Sequence, residues 1–98
     1  MRQQLLPEAH PIIAVTFRNI GDLYNNVDDF DNALAMYEKA LKIQLLYSPS
    51  NDPSTPETYQ CIAWIYEQTN AFHIALKNYT IAFEILRASY PSTHSSLL

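Results

Sequence analysis

The fold is decided by a stretch that occurs twice, as IAVTFRNIGDLYNNVDDFDNALAMYEKALKI at residues 13–43 and as TPETYQCIAWIYEQTNAFHIALKNYTIAFEI at residues 55–85. When the chain is shifted against itself by 42 positions, 11 of the 42 pairs from Glu8/Ser50 onward are identical. Within the two stretches the identities are Thr16/Thr58, Ile20/Ile62, Tyr24/Tyr66, Phe30/Phe72, Ala33/Ala75, Leu34/Leu76, Tyr37/Tyr79, Ala40/Ala82 and Ile43/Ile85. Self-similarity at a fixed period of this length indicates an array of equal structural units.

Each unit divides into two helical stretches. Apolar residues recur every three or four positions through residues 13–26 and again through residues 33–43, and this spacing places them on one face of a helix. Small residues at Gly21 and Ala33, with their counterparts in the second unit, allow two antiparallel helices to approach closely. The sequence therefore predicts two helix–turn–helix hairpins.

The residues before and between these stretches are of types that are common at the ends of helices. Pro11 and Pro56 fall where a helix begins and a missing N–H is tolerated, and Thr55 is the predicted N-cap residue before Pro56. Asp28 and Asn70 fall in register between the two helices of each unit. Because Asp and Asn tolerate a left-handed backbone better than other non-glycine residues, we expect a left-handed turn at both positions.

The composition argues against several classes of function. The net charge is −4 and the six Lys and Arg residues are scattered, so nucleic acid is not an expected partner. No apolar stretch approaches the ~20 residues that span a bilayer, so no membrane association is expected. A lone cysteine, Cys61, favours a reducing, cytoplasmic location. Neither a catalytic constellation, nor a phosphate loop, nor a set of metal ligands is recognisable, so we expect no enzyme activity, cofactor or metal.

The two units resemble the tetratricopeptide repeat. The matching residues are Phe17, Ile20, Gly21, Tyr24, Ala33, Tyr37 and Ala40 in the first unit, and Tyr59, Ile62, Ala63, Tyr66, Ala75, Tyr79 and Ala82 in the second. The 42-residue spacing and the pair His10–Pro11 are similar to the kinesin-light-chain variety, in which the second helix and the following loop are longer. The resemblance implies an all-α fold, a right-handed solenoid of stacked antiparallel helix hairpins.

The repeat pattern divides the chain into four parts. Residues 8–49 and 50–91 are predicted to be complete repeats. Residues 1–7 correspond to the tail of a preceding repeat, and residues 92–98 to the start of a truncated third one. Since about three repeats are usually needed for stability, the pattern predicts that the chain is a fragment of a longer array.

The resemblance also implies a concave groove, lined by the first helix of each repeat, that binds an extended peptide or a helix of a partner protein. Helical geometry selects the residues opposite the buried face as its lining: Arg18, Asn19, Asp22, Asn25, Asn26, Gln60, Cys61, Trp64, Glu67 and Gln68. The amide of Asn19 can pair with a peptide backbone of any sequence. Trp64 replaces Asp22 in register, which favours either a binding hot spot or packing against a third repeat.

Other interpretations of the same residues stay open. The polar groove residues are equally typical of a solvated helix face. A second hypothesis makes the chain a structural spacer or a weak self-association segment that uses its exposed repeat ends, in a larger protein that could also contain a catalytic domain. A third, intrinsic catalysis, is not expected because no constellation of reactive residues supports it.

Overall fold

A computed structural model of the chain describes residues 9–48 and 52–89. In this part the chain forms helices and no strands: α1 (Ala9–Asn26), α2 (Phe30–Tyr47), α3 (Ser54–Gln68) and α4 (Phe72–Ser89). The prediction of an all-α hairpin fold is therefore confirmed. The predicted flanking segments, residues 1–7 and 92–98, lie outside the described residues, and the repeat boundaries stay a prediction.

The helices pack as two hairpins that are stacked on each other. Helix α1 packs on α2, α3 packs on α4, and α2 packs on α3 to join the two hairpins. The alanines Ala33, Ala40, Ala75 and Ala82 are almost completely buried, because short side chains let the backbones approach. Gly21 shows the same requirement more sharply. A Cβ atom at this position would lie 2.9 Å from two ring carbons of Tyr37.

The two turns inside the hairpins confirm the expected left-handed residues. Asp28 has a φ of 62° and Asn70 has a φ of 68°. The next residue in each turn closes it in the same way. The amide of Asp29 donates to the carbonyl of Tyr24 at 2.9 Å, and the amide of Ala71 donates to that of Tyr66 at 2.8 Å. The same backbone geometry is therefore built twice without glycine.

The start of α3 differs from the prediction that Thr55 caps it. The helix begins one residue earlier, at Ser54, so Thr55 lies buried in its first turn. Pro53 occupies the N-cap position and has no capping side chain. Asp52, one residue before it, accepts hydrogen bonds through Oδ1 from the Ser54 amide at 2.9 Å and from the Ser54 hydroxyl at 2.8 Å. A carboxylate here compensates amides that the first helical turn leaves without partners.

The core of the molecule lies at the junction of the two hairpins. Tyr37 of α2 is fully buried there against Ile62 and Ile65 of α3. At the end of α2 the buried Gln44 donates through Nε2 to the carbonyl and the hydroxyl of Ser54, at 3.3 and 3.2 Å. Apolar packing and a polar clamp therefore hold the second hairpin against the first.

Candidate functional site

An open groove of about 650 Å³ runs along the first helices of the two hairpins. All four helices contribute to its lining: Arg18, Asp22 and Asn25 from α1, Tyr37 from α2, Glu57, Gln60, Cys61 and Trp64 from α3, and Tyr79 from α4. The groove is thus shared between the two repeats, and its shape depends on how α3 packs against α2.

The structure brings six of the ten predicted groove residues into this lining: Arg18, Asp22, Asn25, Gln60, Cys61 and Trp64. It does not bring in Asn19, Asn26, Glu67 or Gln68. Asn26 and Gln68 are the last residues of α1 and α3. Whether any of these side chains contacts a ligand stays a prediction.

Asn19 lies outside the lining, and its role in ligand binding stays a prediction. Asn19 lies on an exposed stripe of α1, which we call the α1 stripe and which consists of Ile12, Thr16, Asn19 and Leu23. The register counterparts of Thr16 and Leu23 on α3, Thr58 and Ile65, are fully buried. The counterpart of Asn19 itself is Cys61, which packs beside the core and also lines the groove. Asn19 therefore lies at the border between the groove face of α1 and the face that corresponds to the stacking face of α3.

The sequence interpretation missed three lining residues, Tyr37, Tyr79 and Glu57. The sequence pattern identifies both tyrosines only as residues of the repeat motif, and the structure buries the ring of Tyr37. Glu57 precedes Gln60 and Cys61 by three and four positions, so it shares their helix face. That spacing was a signal that would have added it to the list.

One ion pair crosses the groove between the repeats. Arg18 of α1 donates to Glu57 Oε1 of α3 at 2.9 Å, although the two residues are 39 positions apart. The Arg18 side chain is 22% exposed and that of Glu57 is 60% exposed. The pair links two helices that are not neighbours in the chain, and it leaves Arg18 already occupied by a carboxylate.

A buried tyrosine supports the floor of the groove. The Tyr37 hydroxyl donates to Oδ1 of Asp22, while its ring fills the space over Gly21. Burial of the phenol, followed by the hydrogen bond to Asp22, raises the Tyr37 pKa far above its usual value. Burial also raises the pKa of the Cys61 thiol, and the charge of Asp22 adds to it. Cys61 is therefore held as the thiol, which disfavours a nucleophilic role.

Trp64 presents an aromatic surface at the groove. Its side chain is 40% exposed, and its ring packs edge-on against Phe30 of the first repeat, with centroids 6.2 Å apart and an interplanar angle of 71°. This contact fixes the indole through the neighbouring hairpin. Trp64 therefore packs against the first repeat, while the rest of its ring stays accessible.

At the other side of the groove Tyr79 lies partly exposed. Its hydroxyl donates to Oε1 of Glu67 at 3.0 Å, and burial followed by this bond raises the Tyr79 pKa. Glu67 thus accepts a hydrogen bond from a lining residue, although it does not line the groove itself. Its carboxylate adds negative charge next to the aromatic surface.

Two further features of the described residues, their possible metal ligands and the hydropathy of their helices, bear on the site. Within residues 9–48 and 52–89 no cluster of three or more His, Cys, Asp or Glu side chains is arranged to hold a metal ion. In the same part of the chain no helix has the length and apolarity required to cross a membrane.

Comparison with known families agrees with this architecture of two stacked hairpins with small residues at their crossings. The family model described as "Tetratricopeptide repeat" matches residues 8–88. The chain belongs to the tetratricopeptide repeat family. Tetratricopeptide repeats generally mediate protein–protein interactions, and they form a scaffold family without catalytic machinery of their own.

A curated relative containing similar tetratricopeptide repeats is the "Clustered mitochondria protein homolog" of Brugia malayi. It is 30% identical to the chain over 87 residues, which is 89% of this chain and 6% of that protein. The chain therefore spans a small fraction of the length of this relative. The match supports the repeat assignment, and it carries no statement about the activity of the whole relative.

Proposed function

We propose that the chain binds a peptide segment or a helix of a partner protein in the groove between α1 and α3. The observation that supports this most directly is Trp64, an exposed indole at a groove position where the first repeat has Asp22. The core pattern does not require a tryptophan here. Exposed tryptophan that is held rigidly by a neighbour is typical of interface hot spots.

The groove adds further features of a binding surface. It combines aromatic rings with groups that donate and accept hydrogen bonds, such as Gln60 and Asn25. Binding without catalysis fits a scaffold family. The kinesin-light-chain variety and a cytoplasmic location stay predictions from the repeat spacing and from the lone Cys61.

The test is a selection of peptides from a random display library against the intact chain, followed by affinity measurements on variants. Trp64→Ala should weaken the selected peptides by about thirtyfold, which corresponds to a hot-spot loss of about 2 kcal/mol. Leu46→Ala, at an exposed apolar residue on α2 that does not line the groove, should leave affinity unchanged.

Because Trp64 also packs on Phe30, circular dichroism and thermal unfolding must accompany the measurement. Gln60→Tyr provides a second variant, since it fills the groove at an exposed position that carries no core packing. If selected peptides bind both folded variants as tightly as the parent chain, the groove assignment is wrong.

A specific observation also favours the second hypothesis, self-association through the repeat ends. Helix α4 carries an exposed apolar stripe, the α4 stripe, which consists of Phe72, Leu76, Tyr79 and Phe83. Its register counterparts on α2 pack in the junction between the hairpins: Phe30, Leu34, Tyr37 and Leu41. The α1 stripe is related in the same way to the face of α3 that packs on α2.

Stacking of the α4 stripe of one copy on the α1 stripe of another would therefore repeat the packing of α2 on α3. Such a head-to-tail contact uses different surfaces on the two copies. In a longer chain the same surfaces would hold neighbouring repeats, which is the spacer interpretation. Both interpretations rest on the same exposed residues, and concentration-dependent assembly separates them.

Two blocking variants test the stacking. Leu76→Glu places a charge in the α4 stripe, and Leu23→Glu places one in the α1 stripe, both at side chains that are more than half exposed. Each variant alone should sediment as a monomer. Their equimolar mixture should form a dimer, because each retains the surface that the other lacks. If the parent chain is monomeric at all concentrations, self-association is excluded.

A further inference from the structure

The charged groups of the groove are not balanced. Asp22 and Glu57 are carboxylates in the lining, whereas Arg18 is its one cation among the described residues. Arg18 is already bound by Glu57 at 2.9 Å, and it lies mostly out of solvent. A third carboxylate, Glu67, stands behind the hydroxyl of Tyr79. The groove therefore presents a surplus of negative charge to a ligand and no unpaired cation.

The hydrogen-bonding groups of the groove are unbalanced in the same direction. The Oδ1 atom of Asn25 is buried, and no group in the described part of the chain donates to it. Asn25 follows Asp22 by three positions, so the two side chains are neighbours on one face of α1. A buried acceptor without a donor is costly. Within the described residues this face therefore lacks a donor for the Asn25 oxygen.

The pKa values of two neighbouring groups, the Cys61 thiol and the Tyr79 hydroxyl, agree with this. The negative charge of Asp22 adds to burial in raising the pKa of Cys61, and hydrogen bonding to Glu67 adds to burial in raising the pKa of Tyr79. Further negative charge is thus disfavoured in the groove. The accessible ring of Trp64 favours the opposite sign, because the face of an indole attracts a cation.

We propose that the groove selects a peptide segment with a cationic side chain, Lys or Arg, whose N–H groups bind the Asp22–Asn25 face while its stem packs against Trp64. This rests on the proposed groove function and adds the charge of the ligand. A ligand that carries carboxylates is rejected, because Arg18 is neutralised by Glu57 and the remaining charged group of the lining, Asp22, is itself a carboxylate. Charge complementarity across an interface controls such discrimination.

The test uses three dye-labelled peptides of equal length in which leucine alternates with arginine, glutamine or glutamate. Fluorescence anisotropy with the full chain should give the tightest binding for the arginine probe, by about tenfold over the glutamate probe. Raising the salt concentration should narrow this difference, since the groove is open and its charges are screened.

A double variant locates the effect. Asp22→Asn with Glu57→Gln keeps the shape of both side chains, and Asn still accepts from Tyr37. It should weaken the arginine probe about tenfold. It should also strengthen the glutamate probe, because Arg18 then has no carboxylate partner. Its matched control is Glu38→Gln with Glu84→Gln, which removes the same charge at exposed positions outside the groove lining and should leave both affinities nearly unchanged.

A gain-of-function variant covers the case in which the double variant does not fold. Gln60→Glu adds a carboxylate at an exposed lining position and should strengthen the arginine probe. Equal weakening of the arginine probe by the groove variant and by its control overturns the proposal. If the neutral or acidic probe binds most tightly and Trp64→Ala abolishes that binding, the charge assignment fails while the groove function stands. If Trp64→Ala leaves the affinity for the probes unchanged, the groove function itself is contradicted.

Discussion

The first and second repeats carry the same tyrosine in the same register, yet the two side chains have different environments. Tyr37 is fully buried, with its ring against Gly21, whereas Tyr79, its counterpart in register, is 36% exposed. The helix that covers Tyr37 is α3. In the described part of the chain no helix packs on α4 in that way. The comparison teaches that burial in a stacked array depends on the next repeat, even where the local sequence is the same.

The largest expected difference between the repeats follows from this burial. Tyr37→Ala removes a fully enclosed aromatic side chain and should lower the free energy of unfolding by about 3–5 kcal/mol. Tyr79→Ala, its register counterpart, should lower it by about 1 kcal/mol, since part of its ring is already in water. Urea denaturation of the two variants measures both values. Equal losses would mean that the two tyrosines are equally covered in solution.

The requirement for glycine should also be confined to the first repeat. Gly21→Ala gains helix propensity, but its methyl group would lie 2.9 Å from the buried ring of Tyr37, so we expect a net loss of about 1–2 kcal/mol. Adding Tyr37→Leu should relieve this clash, and a double-mutant cycle by thermal unfolding would show the coupling. A Gly21→Ala variant that is more stable than the parent chain would contradict the close approach.

The turns offer a comparison in which the two repeats should behave alike. Asp28 and Asn70 both have a positive φ, so Asp28→Gly and Asn70→Gly should each relieve strain and stabilise the chain by about 0.5–1 kcal/mol. Asp28→Ala and Asn70→Ala should each destabilise it by about 1 kcal/mol. Urea midpoints for the four variants test this. A clear asymmetry would show that one of the turns is not left-handed.

The smallest effect concerns Asp52, near the start of the second repeat, which corresponds to His10 of the first repeat. Burial alone would raise the Asp52 pKa, but hydrogen bonds from Ser54 outweigh it and lower the pKa below its usual value. The ionised carboxylate therefore stabilises the folded chain above the unfolded-state pKa, and this contribution is lost as the pH falls through the lowered value.

Asp52→Asn should accordingly cost less than about 1 kcal/mol at neutral pH. The difference from the parent chain should begin to shrink below about pH 4, the ordinary pKa of an aspartate, and should disappear once the pH has fallen below the lowered pKa of Asp52. Urea midpoints measured over a pH series test this. If the difference is the same at every pH, the charge of Asp52 contributes nothing.

Part of the site could be predicted because it follows from one helix at a time. The rotation of 100° per residue is enough to place Arg18, Asp22 and Asn25 on one face of α1, and Gln60 with Trp64 on the matching face of α3. The same rule did not separate the groove face from the stacking face beside it. For this reason the rule predicts Asn19, which lies outside the lining, and does not predict Glu57, which lies in it.

What the sequence by itself determined is local or periodic. The 42-residue spacing, the hairpins, the small residues at the crossings and the left-handed turns at Asp28 and Asn70 follow from helix geometry and backbone preference, which act within a few residues. Only the tertiary structure decided that Arg18 is neutralised by Glu57 across 39 positions and that Tyr37 is covered while Tyr79 is not. These outcomes depend on how one hairpin rests on another, and that packing brings together residues whose separation in the chain carries no local signal.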